Sequence, residues 1–244
     1  METSGRDVVG MSMAVDGKTG LLGSVALPVG PHHHAVAAAS VHRAVRRDVE
    51  RLTAVLGEPV TAVRRGALVE HTGFVLDQLE ALHRVHDRLL WPAVLEHRPH
   101  LTDLADRTAR AHAGLAEPIA ALRRSALTWK RAPITRSEAR TAARELASAL
   151  EPVVGQDSET VPLACAMLPD GWTDAYDERP RLVNPTRVAR RLFWLLDDLP
   201  SGQAAQLLAP TPGWTLWVLR NGFSGAYNRA AYLMWIGGGN GPAV

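Results

Sequence analysis

Between His71 and Pro99 the chain reads HTGFVLDQLEALHRVHDRLLWPAVLEHRP. Val75, Leu79, Leu82, Leu89, Leu90 and Val94 recur at the spacing of one helix face, and His86 stands where the pattern expects an apolar residue. A helix this long, apolar along one stripe, has to bury that stripe against other elements. The same helix carries His71, His83, His86 and Asp87. Three imidazoles and a carboxylate on one helix raise a metal site, against the plainer reading of surface or hydrogen-bonded core histidines.

Three further runs have helical periodicity. From about Ala35 to Leu56 the stripe is Val41, Val45, Val49, Leu52 and Val55, with His42 beside it, and Gly57 and Pro59 end the helix. From about Thr102 to Leu127 the inward positions are Leu104, Thr108, His112, Leu115, Ile119 and Leu122. A fourth helix starts with Thr135 or Ser137 as cap and turns Leu146, Leu150, Val153, Asp157, Val161 and Cys165 inward. Four amphipathic helices with short connections predict an all-α fold, an antiparallel four-helix bundle. Pro152 and Gly155 predict a bend or unwinding over Glu151 to Gln156.

Composition narrows the function classes. The chain has 244 residues, 46% of them hydrophobic and 21% charged, as in a soluble globular protein. A net charge of +2 and no long basic run argue against nucleic acid as partner. The single cysteine, Cys165, excludes an intramolecular disulfide and a cysteine-based metal knuckle. No apolar run is long enough for a membrane span, and the N-terminus lacks the pattern of a secretory signal, so the expected location is cytoplasmic. Residues 1–34 read as a mobile arm. Its GKTG at Gly17 is not a phosphate loop, because Ser12 occupies the place of the first glycine. His32, His33 and His34 read as incidental at the edge of that arm.

After Met167 the pattern changes. Leu168 to Pro185 reads as loop, followed by helical patches at about 186–198, 201–208 and 212–236. Trp172, Trp194, Trp214, Trp217 and Trp235 lie in this part and read as packing residues. Residues 169–244 are expected to form a helical extension covering one side or one end of the bundle, with 237–244 frayed.

The blocks VHRAVRRDVERL, HTGFVLDQLEALHRVHDRLLWPAVLEHRP, ARAHAGLAEPI and ETVPLACAML, in that order, resemble hemerythrin-like proteins of actinobacterial type with an HHE cation-binding domain. The resemblance covers residues 35–168 and implies a hemerythrin-like four-helix bundle with iron held between the helices. Carried over position by position, it implies His42 from the first helix, Leu82 and His86 from the second, Thr108 and His112 from the third, and Pro152 and Asp157 from the fourth. The implied metal set is therefore His42, His86, His112 and Asp157. His42, His86 and His112 are the implied cofactor-binding residues. His83, Asp87 and Asp157 are the implied catalytic residues, as proton carriers or as groups that orient the ligands.

His86 stands where the family has a bridging glutamate, so the resemblance does not imply an ordinary oxygen carrier. It implies an enzyme with an altered iron or haem site that carries out oxidative or rearrangement chemistry on a small-molecule metabolite. Two alternatives stay open. One is a metal-free enzyme using His/Asp acid-base groups in a cavity lined by Leu82, Thr108, Val153 and Val154. The other is a non-catalytic metal, haem or oxygen binder or sensor, or a site whose histidines are buried remnants. The expected partner is a small molecule, with no nucleic acid and no membrane, and the expected state is a monomer or homodimer. Arg43, Arg46, Arg47, Arg84 and Arg88 are expected to solvate the helices. If they edge the cavity instead, they favour a ligand bearing a carboxylate or propionate. His71 lines the cavity mouth or packs, and His97 and His100 are expected in solvent.

Overall fold

The computed structural model describes residues 31–168 and 185–236, and among these every regular element is helical. Helix α1 spans Pro31–Val55 and α2 spans Ala62–Val85. A five-residue π-helical turn, His86–Leu90, joins α2 to α3, Trp91–His97. Helices α4 (Thr102–Gly114) and α5 (Ala116–Arg131) come next, then α6 (Arg136–Ala166). The extension contributes α7 (Pro185–Leu196), α8 (Ser201–Leu208) and α9 (Gly213–Trp235). The mobile arm, the loop after Leu168 with Trp172, and the frayed end are expectations that fall largely outside the described residues. Within them, α1 already begins at Pro31, so His32, His33 and His34 are helical.

Helix α1 packs against α2 and α6, and α5 packs against the same two helices. Their inward stripes merge in one core that includes Val45, Leu76, Leu79, Leu122, Leu146 and Leu150. Helices α7, α8 and α9 cover the outer side of α1 and α2. Trp194, Leu195, Leu207 and Met234 enter the main core, and Ala189, Leu192 and Leu219 form a smaller cluster between α7 and α9. Trp194 and Trp235 pack as expected, but Trp214 and Trp217 are exposed.

Prolines decide where the long helices change. Pro118 has no N–H, and its ring crowds the carbonyl four residues back, at Gly114. The predicted single helix from Thr102 to Leu127 is accordingly broken at Leu115, whose N–H bonds His112 O at 3.0 Å. Pro92 likewise lacks a donor for Arg88 O. There the turn widens instead, and the Trp91 N–H reaches back five residues to His86 O. Pro152 does neither: α6 is helical through it, so the expected unwinding of Glu151 to Gln156 does not occur. Pro152 and Ser148 are both exposed, so the carbonyl that loses its partner lies on the wet side of the helix, where water can satisfy it.

One buried carboxylate ties the extension to the bundle. Asp48 of α1 accepts hydrogen bonds from His71 Nε2 of α2 at 2.6 Å, Trp194 Nε1 of α7 at 2.8 Å and Arg47 Nε at 2.8 Å. Burial by itself would raise the Asp48 pKa, but the bonds from His71 and Arg47 outweigh it and hold the carboxyl below its usual value. His71 thus packs, away from the cavity mouth, with Trp235 edge-on to its ring. Arg64, also buried, donates to Met234 O at 2.9 Å and caps the end of α9. Between α7 and α8, Asp198 adopts a left-handed conformation (φ 58°). Its carbonyl accepts from Arg43 Nη2 at 2.8 Å, and its carboxylate pairs with Arg51.

Asp48→Asn removes the charge that three donors converge on, and should cost about 3–5 kcal/mol in urea unfolding at pH 7. A loss below about 1 kcal/mol would sink this account of the anchor. Because the folded carboxyl titrates lower than the unfolded one, its contribution is complete above the usual carboxylate pKa and vanishes as pH falls through the depressed value. Wild type should therefore lose more stability than Asp48→Asn between about pH 5 and pH 3.

Candidate functional site

Five helical segments each deliver a side chain to one buried point. His42 comes from the middle of α1, His83 from the last turn of α2 and His86 from the start of the π turn. His112 comes from the last turn of α4, and Asp157 from α6. All five are buried, and His86 is fully so. The widened turn lets His83, His86 and Asp87 approach the same centre. His83 and His112 stack at 4.0 Å between ring centroids, with 6° between their planes.

Asp157 is the hub. Its Oδ2 lies 3.2 Å from His112 Nε2, 3.4 Å from His86 Nδ1 and 3.6 Å from His42 Nε2. His42 Nε2 in turn is 3.4 Å from His83 Nε2. Two sets of donors, His42–His83–Asp157 and His86–His112–Asp157, are each compact enough to hold a metal ion. A first-row ion with bonds of about 2.0–2.2 Å sets tetrahedral donors roughly 3.3–3.6 Å apart, in line with the contacts to Asp157.

Burial and neighbours set the protonation states. Burial lowers His42 to about 4 and His83 to about 2, with the nearby imidazoles contributing in both cases, so both rings are neutral near pH 7. His112 goes the other way. Burial opposes its charge, but hydrogen bonds to Asp157 and to Asp87 (Nδ1 to Oδ1, 2.7 Å) raise it to about 9. Burial would raise the Asp157 carboxyl, yet the bond with His112 and the proximity of His86 hold it far below the usual carboxylate range. In the metal-free protein a cationic His112 therefore sits between the two carboxylates. Burial pushes the Cys165 thiol up to about 12, which keeps it out of metal chemistry at neutral pH.

His86 is the exception to this satisfaction. Neither of its ring nitrogens makes a hydrogen bond, because the 3.4 Å approach to Asp157 is poorly aligned. A fully buried imidazole with both nitrogens unmet asks for a partner that the side chains do not provide.

All the expected site residues converge: His42, His86, His112 and Asp157, with His83 and Asp87. His83 belongs among the donors, since its Nε2 faces His42. His34, expected to be incidental, stands edge-on to His86 at 5.3 Å, and burial lowers it to about 4. The signal for this is its place eight residues before His42, near the same face of α1. His97 and His100 are exposed as expected.

The vacated cavity does not form as expected. Leu82 and Val153 are core residues, and Thr108 accepts from Gln156 Nε2 at 2.8 Å while donating to Leu104 O. Pro152 faces outward. A cleft of about 490 Å³ opens instead between α1 and α6, with His42 and Asp157 in its floor and Val154 on its wall. Arg43, Arg46 and Arg47 edge it, whereas Arg84 and Arg88 are exposed elsewhere.

No helix among the described residues is long and apolar enough to cross a membrane. In comparisons with known proteins, no family model, no curated protein and no solved structure matches the chain.

His86→Leu, a swap of similar volume, removes two unmet polar atoms. In metal-free protein it should leave the urea midpoint unchanged or raise stability by about 1 kcal/mol. A loss above about 2 kcal/mol would mean that the imidazole is structurally satisfied.

Proposed function

We propose that this chain is a hemerythrin-like enzyme whose core holds a single divalent iron ion and which carries out oxidative or rearrangement chemistry on a small molecule. The observation that carries this reading is the fully buried His86, with neither nitrogen bonded, beside a carboxylate that two other imidazoles also approach. The order of the helices and the residues they bring inward support the resemblance to hemerythrin-like proteins. An imidazole-rich set with one carboxylate suits iron, zinc and their neighbours, and the resemblance selects iron.

Charge favours one ion over two. Asp157 is the one carboxylate common to both donor sets. Two divalent ions against it would leave a large buried positive charge without compensation. A single ion is balanced by Asp157 together with Asp87, which bonds the far nitrogen of His112.

The surrounding residues have defined tasks. Asp87 accepts the His112 Nδ1 proton, which fixes the ring and leaves Nε2 directed at the centre. Burial keeps His42 and His83 neutral, so each retains a lone pair at neutral pH. Leu82, Val153 and Leu150 exclude water from the inner side. The cleft admits a substrate against His42 and Asp157. Bound iron supplies Lewis-acid and one-electron redox chemistry there. Haem does not fit: the imidazoles approach Asp157 and one another too closely to admit a porphyrin plane.

A metal-free acid–base enzyme is the second reading. It is favoured by His112, which closes a network between Asp87 and Asp157 without any ion and holds its proton to about pH 9. Such a catalyst would deliver that proton from Nε2.

Metal analysis of purified protein separates the two. The iron reading expects about one ion per chain and no Soret band. His86→Leu and His42→Ala should lose the ion, and Asp87→Ala should weaken its affinity by about 10- to 100-fold. Purified protein that stays metal-free after incubation with ferrous iron under anaerobic conditions would leave only the acid–base reading.

A further inference from the structure

The cleft is built from one stripe of each of two helices. On α1 the stripe runs Ala35, Ala38, Ala39, His42, Arg43, Arg46 and Arg47, which is the repeat of a single helix face. On α6 it includes Val154, Asp157, Val161 and Pro162. The space exists because alanines fill the N-terminal half of the α1 stripe where large side chains would close it. The result is a gradient along α1, with a small apolar surface before His42 and guanidinium groups after it.

The three arginines are not equivalent. Arg47 is held by Asp48, by the Trp194 carbonyl in the last turn of α7 and by the Asp197 carbonyl in the α7–α8 turn. Arg43 donates to the carbonyl of Asp198, and among the described residues it makes no ion pair with a carboxylate. Arg46 pairs with Glu151 at 2.8 Å, but both side chains are half-exposed, so a ligand can displace that pair at little cost. Two guanidinium groups are thus available beside the one face of the buried centre that meets the cleft. The opposing charges at this edge are Glu151, which Arg46 already pairs, exposed Glu50 one turn further along, and Asp157 in the floor.

We propose that this cleft is the substrate site and that it takes a small carboxylate-bearing molecule with an apolar body. Arg43 and Arg46 hold the carboxylate, and the body lies over Ala35, Ala38 and Ala39 against Val161 and Pro162. Arg43 and Arg46 follow His42 by one and four residues, so the carboxylate sits roughly 2–6 Å along the helix from the point over His42 and Asp157. This deepens the enzyme reading and rests on it for the chemistry. The binding itself is assigned to the arginines and requires no ion.

The test compares 4-phenylbutyrate with its neutral amide by calorimetric titration, using purified protein and the same protein after chelation. The acid should bind about 10- to 100-fold more tightly than the amide in both preparations. Arg46→Met, an exposed position that does not threaten folding, and Arg43→Met should each reduce that preference to about threefold or less. The amide's own affinity should change little. Equal binding of acid and amide, or no binding of either, overturns the proposal. So does a preference that survives both substitutions and disappears on chelation, since the ion and not the arginines would then bind the carboxylate. Metal content measured on the same samples keeps the two readings apart. A protein that takes up no ferrous iron yet prefers the acid removes the iron reading alone, and a metal-loaded protein without preference removes the cleft proposal alone.

Discussion

A carboxylate buried at the meeting point of the helices has to be compensated, and in this protein the compensation comes from imidazoles. Asp157 lies 2% exposed in α6. An isolated charge there would cost several kcal/mol. The fold meets this cost by bringing His42, His86 and His112 from three other segments to within hydrogen-bonding or near-contact distance of one oxygen. His86 and His112 interrupt otherwise apolar stripes, and His42 borders one. The stripes therefore dock in the register that lets the imidazoles meet the carboxylate. Hydrophobic burial drives the helices together, and this polar cluster sets how they align.

The helix irregularities serve the same centre. The π turn at His86–Leu90 and the break after Gly114 both sit beside donor residues, and each is caused by a proline a few positions on. A π turn rotates the next helical segment relative to a regular continuation. Leu90, Trp91 and Val94 can then rejoin the core after His86 and Asp87 have been directed to the site. The break at Leu115 leaves His112 in a terminal turn, with Asp87 across from it. Of the residues gathered at this centre, His86 is the one left with neither ring nitrogen bonded.

The extension does more than cover apolar surface. Asp48 lies six residues after His42 on α1 and fastens α7 through Trp194. The α7–α8 turn takes Arg43, Arg47 and Arg51. Gln203 of α8 reaches the cleft. The helix that supplies His42 is thus held on one side by the core and on the other by the extension. The arginine edge of the cleft is shaped by the same contacts.

Periodicity, caps and breaker residues determine much of this protein. The four main helices, the three in the extension and the inward positions of His86, His112 and Asp157 all come from spacing, because which residues share a helix face is a local property of the chain; His42 reads only as beside its stripe. The effects of the prolines are legible only in part. Each removes a donor, but whether the helix breaks, widens or continues depends on the surroundings of the orphaned carbonyl, and at Pro152 that carbonyl is wet. His34, the inward turn of His83, the pairing of His71 with Asp48 and the filling of Leu82 and Thr108 are decided by tertiary structure. Each depends on which helices become neighbours and at what rotation, and a rotation of a fraction of a turn is enough to move a histidine from surface to centre. The sequence placed the imidazoles on their faces. Only packing decided that they share one carboxylate, and that a cleft edged with arginine opens onto it.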